Sequence, residues 1–305
     1  MQQTITLITK PSKDYELIDS GDGEKLERYG AYVLRRPDPQ ALWKKSLTDA
    51  EWKAANYSFI REGDSGRWKT KEGLPKEWSI EMDKLKFLIK PTAFKHTGLF
   101  PENQPNWNWI QEKISKKLQA DKLQTVKVLN LFGYTGGASL AAASAGAEVV
   151  HVDGSKSAIT WAKQNAEASG LSDKKIRWIE DDARKFVQRE IKRGNKYDAI
   201  IMDPPAFGHG AKNELWKIED DFTNLLELCS QILSDKPLFV LVNGYSAGYS
   251  AIAYENSLMP MALKYNGKIE IGELTIEETP RHQDSAGQAK TGRLLPAGIF
   301  ARVNF

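Results

Sequence analysis

The sequence predicts an α/β fold: a doubly wound, seven-stranded, mostly parallel sheet with an antiparallel end, preceded by a small β-rich or α+β module. Three observations carry this. From about residue 108, apolar strand runs alternate with amphipathic helical stretches, the pattern of repeated right-handed βα units. The last two strand runs follow one another with no helix between them, which makes the sheet's end antiparallel. Six of the nine tryptophans (Trp43, Trp52, Trp68, Trp78, Trp107 and Trp109) fall before residue 110, in a part of different texture.

The front module, residues 1–95, shows short strand-like runs such as Ala31-Tyr32-Val33-Leu34-Arg35 and Lys86-Phe87-Leu88-Ile89. Turn chemistry breaks them at Asp19-Ser20-Gly21-Asp22-Gly23 and Arg36-Pro37-Asp38-Pro39. Its tryptophans offer stacking platforms for single-stranded RNA, with core packing the competing reading. The second domain, residues 96–305, opens with the strand Val126 to Phe132, then Gly133-Tyr134-Thr135-Gly136-Gly137 and an Ala-rich helix, Ala138 to Ala147. Val149 to Asp153 is the second strand, and Lys156 to Ser169 a helix ended by Gly170. Ile176 to Ile179 and Tyr197 to Met202 are the third and fourth strands. Asp221 to Leu233 is an amphipathic helix, and Leu238 to Val242 the fifth strand. Ile269 to Leu274 and Ile299 to Val303 complete the seven.

Composition sets the outer limits. The 305 residues are 41% apolar and 27% charged, the balance of a folded chain. No run approaches the roughly 18 apolar residues of a membrane span, and Met1 to Thr6 lacks a secretory n-region. The single cysteine, Cys229, excludes an internal disulfide and fits a reducing, cytoplasmic compartment. A formal net charge of +3 does not by itself argue for nucleic acid. The four histidines, His96, His151, His209 and His282, show no metal spacing and are read as non-ligands.

In such a sheet, ligands bind outside the carboxyl ends of the strands. After the first strand, the looser Gly133-x-x-Gly136-Gly137 turn lacks the pyrophosphate spacing of G-x-G-x-x-G, so it suits a ligand without phosphates. Asp153, after the second strand, can accept from both hydroxyls of a ribose; a helix N-cap is its competing role, with Ser155 a rival cap. Asp182, after the third, can accept from an adenine amino group beside the backbone of Ala183, or cap the helix that follows. After the fourth comes Asp203-Pro204-Pro205-Ala206-Phe207. The prolines hold a fixed, donor-poor turn whose carbonyls, with the Asp203 carboxylate, can bind a planar amino group. Phe207 offers a face for a base.

Together these segments resemble class I S-adenosylmethionine-dependent methyltransferases. More narrowly they are similar to the bacterial large-subunit ribosomal-RNA methyltransferase group, which includes cytosine-C5 and guanine-N enzymes. Lys95 to Glu102 looks like that group's segment preceding the cofactor domain. The resemblance implies a Rossmann-like sheet, an RNA partner and S-adenosyl-L-methionine as cofactor. In it Asn130, Phe132, Gly133, Tyr134, Thr135 and Gly136 meet the methionine moiety. Asp153, with Gly154 and Ser155, holds the ribose, and Asp182 with Ala183 the adenine. Thr97, Leu99 and Phe100 close over the methionine end. Asp203, Pro204, Pro205 and Phe207 are the implied catalytic residues, with Asp203 also touching the cofactor.

One departure matters. Members that methylate cytosine C5 carry a cysteine after the fifth strand, to add to the ring. This chain has Asn243-Gly244-Tyr245-Ser246-Ala247-Gly248 there, and Cys229 shares a helical face with Leu225, Leu226, Ile232 and Leu233. The residues therefore favour transfer to a nitrogen, whose lone pair attacks directly. A polar stretch with Arg281, His282, Lys290 and Arg293 lies between the last two strands and is placed either near the acceptor mouth or in solvent. Protein or small-molecule amines present the same planar group as a base. A nicotinamide-dependent oxidoreductase is disfavoured by the glycine spacing. An RNA-binding module without turnover stays open.

Overall fold

The computed structural model describes residues 4–62, 65–93, 95–120, 125–245, 248–280 and 292–305. The chain divides into two compact units. One consists of Met1–Thr6, Pro105–Glu273 and Gly298–Phe305, the other of Leu7–Gln104 and Leu274–Ala297.

The chain begins with β1 (Ile5–Thr9), β2 (Tyr15–Gly21), β3 (Glu24–Tyr29), β4 (Tyr32–Pro37) and α1 (Asp49–Lys53). It continues through β5 (Tyr57–Glu62), β6 (Ser65–Thr70), β7 (Trp78–Met82) and β8 (Leu85–Ile89). Strands β2 to β6 form a five-stranded sheet in sequence order, antiparallel except where β4 meets β5, and β7 pairs with β8. Asp22 and Gly23, both at positive φ, turn β2 into β3 in the sense that matches strand twist. The core of this unit is unusually polar. Buried Glu27 accepts from Tyr15 Oη at 2.9 Å and from Arg36 Nη2 at 2.6 Å, so its charge is both paired and hydrogen-bonded. The indole N–H groups of Trp43, Trp52, Trp68 and Trp78 donate to Ser20, Asp19, Thr92 and Tyr29 respectively, which ties four of the front tryptophans into the fold.

From α2 (Gln104–Ala120) onward, strands and helices alternate: β9 (Lys127–Leu131), α3 (Gly137–Ser144), β10 (Glu148–Asp153), α4 (Lys156–Ala168), β11 (Ile176–Glu180), α5 (Ala183–Arg193) and β12 (Ala199–Met202). A small hairpin follows, β13 (Phe207–His209) and β14 (Leu215–Lys217). Then come α6 (Ile218–Ile232), β15 (Phe239–Gly244), α7 (Ala251–Lys264), β16 (Lys268–Glu277) and β17 (Leu294–Asn304). The large sheet has the order β1-β16-β17-β15-β12-β9-β10-β11, with β9, β10, β11, β12 and β15 parallel and β17 antiparallel to β15. It is the doubly wound sheet read from the sequence, with one strand more. Edge strand β1, five residues long, makes eight rather than seven. Every residue of β12 and β15 is buried, which is why both read as unbroken apolar runs. Helix α6 starts at Ile218 rather than Asp221, so Glu219, Asp220 and Asp221 all lie in its first turn, where the helix dipole favours acids. Among the described residues no helix is long and apolar enough to cross a membrane.

Candidate active site

Strand register builds the site. Leu131 of β9 pairs with Val152 of β10 and also with Met202 of β12. Phe132, Asp153 and Asp203 therefore leave the sheet side by side at its carboxyl edge. The order of strands reverses between β9 and β12, the place where such sheets open a crevice.

The glycine turn is tightly wound. Phe132 and Tyr134 both adopt positive φ, at 55° and 48°, a strained state for non-glycine residues. The Gly133 N–H donates to the Val152 carbonyl at 3.0 Å. A Cβ at Gly133 would lie 2.4 Å from the imidazole of His151, so glycine is required here by packing. His151 is fully buried, and burial pulls its basicity down to about 3, which keeps it neutral. Its Nδ1 lies 2.9 Å from Ser139 Oγ, which accepts from Asn130 Nδ2 at 2.9 Å. Asn130, named in sequence for the ligand, thus connects through Ser139 to His151, the ring that Gly133 packs against. Thr135 is buried, with its carbonyl accepting from Asn165 Nδ2 at 2.9 Å, and Gly136, at φ 94°, is the N-cap of α3.

Asp153 joins two strand-end loops. Its Oδ2 accepts the Tyr134 N–H and its Oδ1 the Ser155 N–H, each at 2.8 Å. Burial raises the carboxyl, and these two N–H groups oppose the rise. Ser155, not Asp153, caps α4, accepting from the Ala158 N–H at 3.3 Å. Each carboxylate oxygen of Asp153 retains a lone pair, so the chemistry fits a vicinal diol. Asp182 does cap its helix: Oδ1 accepts the Lys185 N–H at 3.0 Å, and Arg184 Nη2 donates to Oδ2 at 2.9 Å. Ala183 follows, buried, as the first residue of α5.

The hairpin β13–β14 lies over these ends, a feature not read in the sequence. A Cβ at Gly154 would meet the His209 carbonyl oxygen at 2.9 Å, and one at Gly210 would meet Asp182 Cβ at 2.9 Å. Two glycines thus let the hairpin touch the loops after β10 and β11.

At the end of β12, Asp203 is half-buried and has no ion-pair partner among the described residues; desolvation pushes its carboxyl up to about 6. The Pro205 carbonyl is taken, accepting from Trp216 Nε1 at 2.7 Å, and the Ala206 carbonyl accepts the Ile218 N–H at 3.0 Å. Of the acceptors read in this motif, the Asp203 carboxylate and the Pro204 carbonyl have no hydrogen-bond donor among the described residues. Trp216 also packs on Phe132, with centroids 4.8 Å apart, so one buried indole couples the glycine turn to the proline shelf. Phe207 is 57% exposed. Tyr254 of α7 stands near: burial first, and the Asp203 charge second, push its phenol up to about 12. Its hydroxyl fills the space a Cβ on Gly244 would need.

Cys229, on α6, is fully buried in the apolar cluster, and burial raises its thiol well above the usual range. Asn243 is likewise buried and accepts from Asn106 Nδ2 at 2.8 Å. Ser246, Ala247, Arg281, His282 and Lys290 lie outside the described residues. Thr97, Leu99 and Phe100 belong to the other unit. There Thr97 and Leu99 are buried, and Phe100 meets His96 edge-on at 5.3 Å. Arg293, in that unit too, bridges Asp19 and Glu278 rather than standing in solvent. Among the described residues no group of three His, Cys, Asp or Glu side chains is placed to hold a metal ion.

The sequence model of the S-adenosylmethionine-dependent methyltransferase family matches residues 25–271. The chain belongs to this family. It is also 40% identical to a SAM-dependent methyltransferase from Agrobacterium tumefaciens of known crystal structure. That match has a TM-score of 0.89 and covers 100% of this chain and 97% of that one. A protein from Streptococcus mutans described as a SAM-dependent methyltransferase shares the fold at 18% identity, with a TM-score of 0.69 over 96% of this chain and 76% of that chain. The ribosomal RNA large subunit methyltransferase K/L of Shewanella frigidimarina (strain NCIMB 400) is 33% identical over 160 residues, 52% of this chain. The chain spans about a fifth of the length of the curated relatives it matches, 21% in that case. As a SAM-dependent methyltransferase, the protein is an enzyme, and the nicotinamide alternative falls.

Proposed function

We propose that this methyltransferase acts on a nitrogen of an RNA base, in ribosomal RNA, and that the front module read from the sequence, residues 1–95, helps recognise that substrate. A cytoplasmic location goes with such a substrate. The observation that carries the reading is the end of β12: an unpaired carboxylate, Asp203, beside a proline shelf and an exposed aromatic ring, with the only thiol sealed in the core. The relatives named for ribosomal RNA support the choice of polymer.

S-adenosylmethionine supplies an electrophilic methyl group on a sulfonium. The Gly133 turn would lie along its methionine end, Asp153 would accept from the ribose hydroxyls, and Asp182 with Ala183 would border the adenine. Thr97, Leu99 and Phe100 are proposed for the methionine end on resemblance alone. Asp203 accepts an N–H of the acceptor amino group and so orients its lone pair. A carboxyl raised to about 6 is also suited to take the proton that the alkylated nitrogen releases. Phe207 supports the ring by stacking.

Methyl incorporation from labelled S-adenosylmethionine into ribosomal RNA purified from cells lacking the protein tests the proposal. The expected product is an N-methylated nucleoside. A carbon- or ribose-methylated product, or incorporation only into protein, overturns it.

A further inference from the structure

We infer that the amino-terminal rim of the parallel sheet is a second contact surface for the RNA phosphate backbone, on the edge opposite the proposed active site; this rests on the RNA reading above. Strands β9, β10 and β11 are parallel, so their starts share one rim. Strands of five to six residues put that rim about 17–20 Å from the loops that carry Gly133 and Asp153. A cavity of about 410 Å³ opens on it.

Five cations line this cavity: Lys127 from β9, Lys174, Lys175 and Arg177 at β11, and Lys196 before β12. Among the described residues only two carboxylates join them, and both are engaged. Glu190 is fully buried and accepts from Tyr197 Oη, Asn195 Nδ2 and Arg193 Nη1 at 2.7, 2.7 and 2.8 Å. Glu148 pairs with Lys175 at 2.5 Å. Asp173 and Asp198 flank the cavity in sequence, and Asp198 already accepts the Lys127 N–H at 2.8 Å. Lys127, Lys174 and Arg177 are exposed, with no ion-pair partner among the described residues. In a chain whose formal net charge is only +3, this concentrates positive potential in a concavity. The cations come from separate elements and spread along the rim. That distribution suits the repeated charges of a polynucleotide better than a single phosphate, and such contacts position a substrate without reading its sequence.

The test is fluorescence anisotropy of a labelled, mixed-sequence, 20-nucleotide single-stranded RNA against the full chain over a range of salt. It compares wild type, Lys174→Glu/Arg177→Glu, and Lys116→Glu on α2 as a single-reversal surface control. Melting temperature and S-adenosylhomocysteine affinity report folding, and Lys174→Gln/Arg177→Gln replaces the reversal should that variant not fold. Loss of two contacts is expected to lower the slope of log K against log salt by about 1.4, with affinity at low salt down roughly ten-fold. The control should stay within about two-fold of wild type. A double variant that binds like wild type overturns the inference and leaves the RNA reading intact. Wild type that binds S-adenosylhomocysteine but no RNA overturns the RNA reading and the inference with it. Equally tight binding of polyglutamate, lost in the same variant, reassigns the rim to acidic proteins.

Discussion

The backbone N–H of Tyr134 donates to Oδ2 of Asp153 at 2.8 Å, so the carboxylate at the end of one strand holds the glycine turn at the end of its neighbour. Removing that carboxylate therefore does two things at once. Asp153→Ala deletes the proposed ribose acceptors and frees a strained turn. A charge-assisted hydrogen bond contributes roughly 1.5–3 kcal/mol, so S-adenosylhomocysteine affinity should fall about ten-fold or more by calorimetry. Unchanged affinity would remove Asp153 from the cofactor site.

Gly133→Ala drives a methyl group into the His151 ring. Overpacking of this kind costs about 1–3 kcal/mol, measurable as a lower denaturation midpoint. Because the cause is one contact, a double-mutant cycle with His151→Ala should show strong coupling, the pair losing less than the sum of the singles. Additive losses would place the strain elsewhere.

Most residues proposed for this site are ones the sequence singles out, and what the sequence misses has physical causes. Strands β12 and β15 are buried at every residue and β9 at all but Lys127, so their sequences run largely apolar. The five candidate segments of residues 130–136, 153–155, 182–183, 203–205 and 207 stand out because polar, glycine or proline residues interrupt such runs at one edge. The hairpin at Phe207–His209 and Leu215–Lys217 was not found, because three-residue strands show no period. Helix α7 carries Pro260 in its interior, which reads as a break. Edge strand β1 alternates between half-buried and exposed, too weak a signal over five residues. His151 could have been noticed: a lone imidazole in Val149-Val150-His151-Val152 must find a polar partner. Nothing in the sequence ties Trp216 to Pro205, eleven residues earlier.

That contact gives a third prediction. Trp216→Phe removes the N–H at the Pro205 carbonyl and loosens the packing on Phe132. Pro205 is exposed, so water can take its carbonyl and the stability cost stays near the roughly 0.5–1.5 kcal/mol of a net hydrogen bond, but the shelf should shift. Methyl transfer is expected to fall at least ten-fold while S-adenosylhomocysteine affinity stays within about three-fold. Parallel loss of both would make Trp216 a general core residue.

Asp203 sets the pH dependence. With its carboxyl raised to about 6, single-turnover transfer should decline as pH falls through that value, and Asp203→Asn should be slow with no such limb. The sign for stability is the reverse. A carboxyl raised above its unfolded value of about 3.9 contributes stability that is present below that value and lost as pH rises through 6. Asp203→Asn should therefore raise the melting temperature at pH 7–8 relative to wild type and give little at pH 4. Equal effects at both pH values would mean that Asp203 is not desolvated.

Cys229→Ala leaves a small gap in the apolar core. It should lower stability by about 1 kcal/mol and leave the rate of methyl transfer unchanged. Loss of transfer in a folded variant would revive thiol chemistry.

Mass spectrometry of the nucleosides of ribosomal RNA, from otherwise identical cells with and without this protein, tests the whole reading most directly. One N-methylated base should vanish when the protein is absent and return when purified enzyme and S-adenosylmethionine are added. An unaltered inventory, or loss of 5-methylcytidine or a ribose-methylated nucleoside instead, would contradict it.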